Sequence, residues 1–179
     1  MDTLRITRDD LDAYGVYTKA EFIDYAGHVE VAADLGTVQI RGSLRATGRI
    51  RCLAGSGISA GGGISAGWGI SAGGGISAGW GISAGSGISA GSGISAGWGI
   101  EAGWGIKAGL GIEAGEGIEA GEGIEAGLSI VAKFLSIQLR IFAGLVSWRL
   151  PEPSECEVRA EIRSGTLAHG THVAPTVKS

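Results

Sequence analysis

A six-residue word, Gly-Ile-x-Ala-Gly-x, fills the middle of the chain with almost no variation. Isoleucine recurs at every sixth position from Ile58 to Ile124, and an alanine follows each one two residues later, from Ala60 to Ala126. Ile130 and Ala132 add a last, degenerate unit. A unit this short cannot bury its own apolar side chain. Stacked copies can, so the repeat predicts a solenoid with Ile and Ala in its core. The same regularity leaves little room for a unique catalytic site.

The glycine content has to be reconciled with order. Of 35 glycines, 27 lie between Gly55 and Gly127. Collagen needs glycine at every third position with abundant proline. Here the invariant glycines are spaced alternately two and four apart, and the chain has three prolines. Disorder needs low hydrophobicity, which a mean hydropathy of +0.25 and the regular isoleucine contradict.

Within the repeat, even positions carry Ile, Ala and a variable residue; odd positions carry Ser, Glu or Lys, and two glycines. Glycine permits positive φ, so each hexad is expected to contain a bend. Three bends close an 18-residue coil and two close a 12-residue coil. The larger coil stacks Trp80 on Trp98, Leu110 on Leu128, and Lys107 beneath Glu125. The smaller one stacks Trp68 on Trp80 but puts Glu101, Glu113 and Glu125 in one column, where like charges repel. The larger coil is preferred, although it leaves Glu101 over Glu119.

The flanks read differently. Residues 1–27 are expected to form a cap: Thr18-Lys19-Ala20-Glu21 has the form of a capping box and Gly27 that of a stop, which predicts a short helix over about 19–26. Residues 28–57 alternate (Val29, Val31, Val38, Ile40, Leu44, Ala46, Ile50, Cys52) and read as irregular first rungs. Cys52 stands six residues before Ile58, in the isoleucine register, and is expected to be a core thiol. Residues 58–132 are the hexad-repeat solenoid. Residues 133–179 are a C-terminal β cap and tail. In it Leu135, Ile137, Leu139 and Ile141 alternate as a strand with one polar face, Pro151-Glu152-Pro153 marks a turn, and Val158–Arg163 suggests a returning strand that covers the open sheet edge. The fold class is therefore mainly β: one β-solenoid with a small helical N-terminal cap and a β C-terminal cap.

The N-terminal residues lack a basic region followed by an apolar one, so no signal peptide is expected. Lys133, Gln138, Arg140 and Arg149 interrupt the most apolar stretch, from Leu128 to Leu150, which makes a poor membrane span. Two cysteines make neither a disulfide framework nor a zinc site. These features point to a cytoplasmic protein without membrane, metal or cofactor partners. Charge follows the chain: Arg41, Arg45, Arg49 and Arg51 precede the repeat, no charged residue occurs over the 49 positions from Cys52 to Ile100, and six Glu and one Lys follow between Glu101 and Leu128.

Gly-Ile-Glu-Ala-Gly-Glu and its variants resemble the hexapeptide repeat of left-handed β-helix proteins, over about residues 38–132. In that family an aliphatic residue opens each hexad and Gly or Asn often occupies the bend. The family usually has a small residue four positions after the aliphatic one. This chain has Trp68, Trp80, Trp98, Trp104, Leu110, Glu116 or Glu122 there. Trp and Glu cannot share a narrow interior corner, so this slot is expected to face outward.

Enzyme readings find little support in the residues. Hexapeptide-repeat acyltransferases place a catalytic histidine between subunits, but His28, His169 and His172 all lie outside the repeat, and no long loop interrupts it. His169-Gly170-Thr171-His172-Val173-Ala174 resembles the histidine-bearing motif of subtilisin-like serine proteases, in which His169 would be the general base. The Gly-Thr-Ser-Met-Ala nucleophile segment of that family is absent and no aspartate motif precedes it, and a triad is recognised by its assembled roles. The serine column from Ser59 to Ser95 suggests an ice-binding face, although such faces favour threonine.

The tryptophan and glutamate rows remain. Four exposed tryptophans are unusual on a soluble monomer, and tryptophan is enriched at binding hot spots. Acidic residues at regular spacing imitate a nucleic-acid backbone and would attract the basic groove of a nucleic-acid enzyme. The expectation is a non-enzymatic protein that binds a protein partner, not nucleic acid itself, through Trp98, Trp104, Glu113, Glu116, Glu119 and Glu122. A phage-encoded inhibitor of a host nucleic-acid-handling or defence complex is one form of this. A self-assembling structural protein similar to the bactofilins is the alternative.

Overall fold

The computed structural model describes residues 1–175. Its strands are parallel and pair with the strand one coil away. Ile58 pairs with Ile76, Ile76 with Ile94 and Ile94 with Ile112, a step of 18. The other two hexads of each coil do the same, in the columns from Ile64 to Ile118 and from Ile70 to Ile124. Each coil thus has three faces. We call them first, second and third, after Ile58, Ile64 and Ile70.

Each face shows why the word is spelled as it is. In Ile94-Ser95-Ala96 the Ile and Ala point inward, 1% and 3% exposed, and Ser95 points out. Alternation over three residues suffices because successive side chains of a strand take opposite sides. The Ile and Ala columns form one continuous core along the whole stack. The backbone ladder runs on through the corners, where the Trp98 amide donates to the Trp80 carbonyl at 3.1 Å and the Glu116 amide to that of Trp98 at 3.1 Å.

The glycines act through space rather than through φ. Among the described glycines, positive φ occurs at Gly15, Gly36, Gly55, Gly144, Gly165 and Gly170, and at none from Gly57 to Gly127. Each hexad does bend at its corner as expected, but the bend does not use the positive φ that glycine permits. A Cβ on Gly97 would instead run into the carbonyl oxygen of Gly79, one coil before, well inside van der Waals contact. A Cβ on Gly99 would lie 3.2 Å from the Gly117 oxygen, a milder approach. The first glycine of each corner is needed so that coils can lie against each other.

The same stack extends beyond the regular repeat at both ends. The early coils are longer: Val38 pairs with Ile58 (58 − 38 = 20) and Ile23 with Leu44 (44 − 23 = 21). The helix expected over about 19–26 is not formed; Ile23–Tyr25 is a strand of the second face. Its capping residues are engaged elsewhere. Thr18 Oγ1 donates to the Asp10 carbonyl at 3.0 Å, and Lys19 pairs with the Asp10 carboxylate. Asp10 is buried, and the Lys19 ammonium followed by the Thr7 amide holds its pKa below the usual value. The capping box that does form is Thr7 with Asp10, on the short 3-10 turn Arg8–Asp10.

At the other end, Ile130–Phe142 wraps all three faces in turn: Ile130 pairs with Ile112, Leu135 with Ile118, and Ile141 with Ile124. Leu139 is exposed, so this segment turns a corner and is not the one flat strand its alternation suggests. The expected returning strand is a further coil: Glu157–His169 runs parallel to Ile130–Phe142 after the insertion 143–156. Thr171–Val173 pairs parallel to Glu157–Arg159 in turn. The last four residues of the expected C-terminal tail lie outside the described residues. Cys52 is a core thiol as expected, but in the alanine column, between Val31 and Ala72. Burial pushes it up to about 12. Among the described residues, no helix is long and apolar enough to cross a membrane.

Candidate functional site

The variable residue of each hexad stands at a corner, and where it is Trp or Glu it faces solvent. Trp68, Trp80, Trp98 and Trp104 are all more than half exposed. The 18-residue step distributes them. The corner before the second face carries Gly62, Trp80, Trp98 and Glu116, one per coil; the corner after it carries Trp68, Ser86, Trp104 and Glu122. Trp80 and Trp98 stack, with ring centroids 6.0 Å apart and planes 16° from parallel. Trp68 meets His28 at 5.1 Å.

The second face between these corners presents one outward column: Asp24, Arg45, Ser65, Ser83, Glu101, Glu119, Ser136. A shallow groove of ≈ 500 Å³ runs beside it, bounded by Trp80 and Phe134, with Arg45 towards one end and Glu119 towards the other. Small serines and the glycines Gly81 and Gly99 keep its floor low.

Five of the six residues expected at the site border this face. Trp98 and Glu116 stand on the corner before it, Glu119 on it, and Trp104 and Glu122 on the corner after it. Glu113 does not join them: it lies on the first face, paired in register with Ser95 and Val131. The single acidic ridge expected from the spacing is thus split: Glu113, Glu116, Glu119 and Glu122 stand in four separate columns. Three residues belong to the surface that the expectation left out: Glu101 (in register with Glu119), Trp80 and Arg45. Trp80 is tied to Trp98 by stacking, which the 18-residue step already implied. Arg45 enters because Leu44-Arg45-Ala46 is a hexad of the same face, two coils below Ser83, a match hidden by the longer 20-residue coil between them.

The glutamates differ in compensation. Glu125 pairs with Lys107 at 2.7 Å and Glu116 with Lys133 at 2.6 Å. Among the described residues, Glu101 and Glu119 form no ion pair, though they stand directly opposite each other in adjacent coils. Like charges in that relation repel. This is the one place on the second face where the column works against itself.

The histidines serve the scaffold. His169 Nδ1 lies 2.6 Å from the Ala143 carbonyl and His172 Nε2 lies 2.8 Å from that of Ala160. Among the described residues, no group of three or more His, Cys, Asp or Glu could hold a metal ion. A surface of exposed aromatics, serines and unpaired carboxylates can bind cationic and planar groups.

No protein-family model, curated protein or solved structure matches the chain.

Proposed function

We propose that this solenoid is a non-catalytic binding protein whose second face and its two corners dock a basic macromolecule. The observation that carries the reading is the unrelieved Glu101–Glu119 column flanked by exposed tryptophans. Repelling carboxylates cost stability in the free protein, and a cation from a partner removes that cost. Trp80, Trp98 and Trp104 supply apolar area with little rotamer freedom to lose, the composition of a hot spot. The partner class that fits is a protein with an arginine- or lysine-rich groove, such as one that handles nucleic acid in the cytoplasm. A phage-encoded inhibitor of such a complex is the biological form we favour.

Self-assembly by end-to-end stacking is the second reading. It is supported by the terminal coils, whose last strands, Thr3–Ile6 at one end and Thr171–Val173 at the other, each pair on one side only among the described residues.

Pull-down from native cells tests the first reading. Wild type is compared with a variant carrying Glu116→Lys, Glu119→Lys and Glu122→Lys, at two salt concentrations. We expect a basic protein to be captured by wild type and lost by the variant, most clearly at low salt. Identical captured sets from both proteins would mean that the glutamates only keep a glycine-rich rod soluble.

A further inference from the structure

We propose that the second face also binds a second copy of this chain, in an antiparallel two-fold dimer that occludes the partner surface. The inference rests on the binding reading above and adds its regulation. Its basis is the order of charge along one column. From the N-terminal coil upward the second face reads Asp24, Arg45, Ser65, Ser83, Glu101, Glu119, Ser136. Reverse that column about a two-fold axis at Ser83 and lay it on itself. Asp24 then meets Ser136 of the second copy, Arg45 meets Glu119 of the second copy, Ser65 meets Glu101 of the second copy, and Ser83 meets its own equivalent. The repelling pair receives its cation in trans, twice per dimer, as an isologous contact requires.

The corners agree with the same axis. On the corner before the face, Trp98 falls opposite Gly62 of the second copy, so a large side chain meets a gap. Lys133 falls opposite Glu21 of the second copy, because these two occupy the matching end positions of that corner. On the corner after the face, Trp68 falls opposite Trp104 of the second copy. No like-charged pair is created at any of these levels.

The other faces lack this property. On the first face Glu113 is followed by Val131 and Arg159, and Gln39 occupies the place of Arg45. On the third face Glu125 already pairs with Lys107 in the same chain, and the insertion residues Leu145 and Trp148 lie against that pair. Six coil spacings of ~4.8 Å by a face of roughly 18 Å give about 500 Å² per copy, or about 1,000 Å² in all. That is the lower end for a specific interface, so the dimer should be weak and sensitive to salt.

Sedimentation velocity on the full chain tests this, with circular dichroism as the check on folding. Wild type should dimerise at tens to hundreds of micromolar in low salt, and less at high salt. Arg45→Glu and Glu119→Arg should each weaken the dimer by about tenfold or more, because each places two like-charged pairs in the homodimer. An equimolar mixture of the two variants should dimerise again, since a heterodimer of them restores both opposite-charge pairs. A wild type that stays monomeric at these concentrations overturns the proposal. So do single variants that dimerise like wild type, or a mixture that fails to recover. The two readings fail separately. A monomeric wild type leaves the pull-down result untouched, and a pull-down insensitive to Glu116, Glu119 and Glu122 leaves the Arg45 result standing.

Discussion

Lys107 Nζ lies 2.7 Å from Glu125 Oε2, one coil above it on the third face. The equivalent positions on the second face are Glu101 and Glu119, in register and without a cation. Two faces of one regular rod, built from the same six-residue word, thus carry opposite electrostatic terms. Stacking makes every outward residue the neighbour of the residue one coil away, so one substitution changes a whole column.

Glu101→Lys should therefore stabilise the free protein. It turns a repelling pair into an attracting one, worth about 0.2–1 kcal/mol for an exposed cross-strand pair. The urea midpoint should rise at low salt, with the gain shrinking as salt screens the pair. A lower midpoint at low salt would show that the column does not repel.

Gly97→Ala and Gly99→Ala should separate the two glycines of a hexad. The Cβ at position 97 meets the fixed backbone oxygen of Gly79, whereas that at 99 has 3.2 Å to the Gly117 oxygen. Overpacking of this kind typically costs about 1–3 kcal/mol. The first variant should lose at least that much, and the second should stay at the low end or below it. Equal denaturation midpoints would refute the close-approach account.

Ile94 sits in the middle of the core, 1% exposed. Ile94→Ala should cost about 2–5 kcal/mol through lost burial and a cavity. Ile94→Asp should abolish the fold, because an unpaired charge there has no partner. Circular dichroism should show β structure with little helix in wild type and its loss in the aspartate variant.

Cys52 should resist alkylation in the native state. Burial holds its pKa near 12 against an ordinary value of 9.0, so the thiolate is scarce at pH 8.5. The linkage follows. Below pH 9 both states keep the proton and the buried thiol costs nothing; above it the unfolded thiol ionises while the folded one does not, so stability falls as pH rises from 9 towards 12. Iodoacetamide with mass analysis at pH 8.5 should modify Cys52 only after denaturation. Fast labelling of folded protein at Cys52 would contradict the burial.

Legibility varied with the reach of the deciding interaction. The inward Ile and Ala, the outward Trp slot and the coil length could all be read from the repeat, because they depend on period and on neighbours set by that period. The glycines were legible as necessary but not in their reason: only the proximity of Gly97 to the Gly79 carbonyl distinguishes crowding from a left-handed bend. The Thr18–Glu21 pattern misled because it is local. Thr18 and Lys19 are bound to Asp10, and Ile23 and Tyr25 pair with Leu44 and Ala46, so tertiary partners overrode a capping signal.

The site divides along the same line. The sequence by itself determined that tryptophans and glutamates are exposed, because an Ile–Ala core leaves the remaining positions to solvent, and that the glutamates are concentrated in the second half of the repeat. Only the tertiary structure decided that Trp98 and Glu116 share one corner, that Trp104 and Glu122 share the next, that Glu113 is excluded, and that Arg45 completes the second face. The physical reason is closure of the coil. Residues six apart in sequence are carried to different faces, while residues 18 to 20 apart become neighbours. Which charges meet is set by where each coil closes.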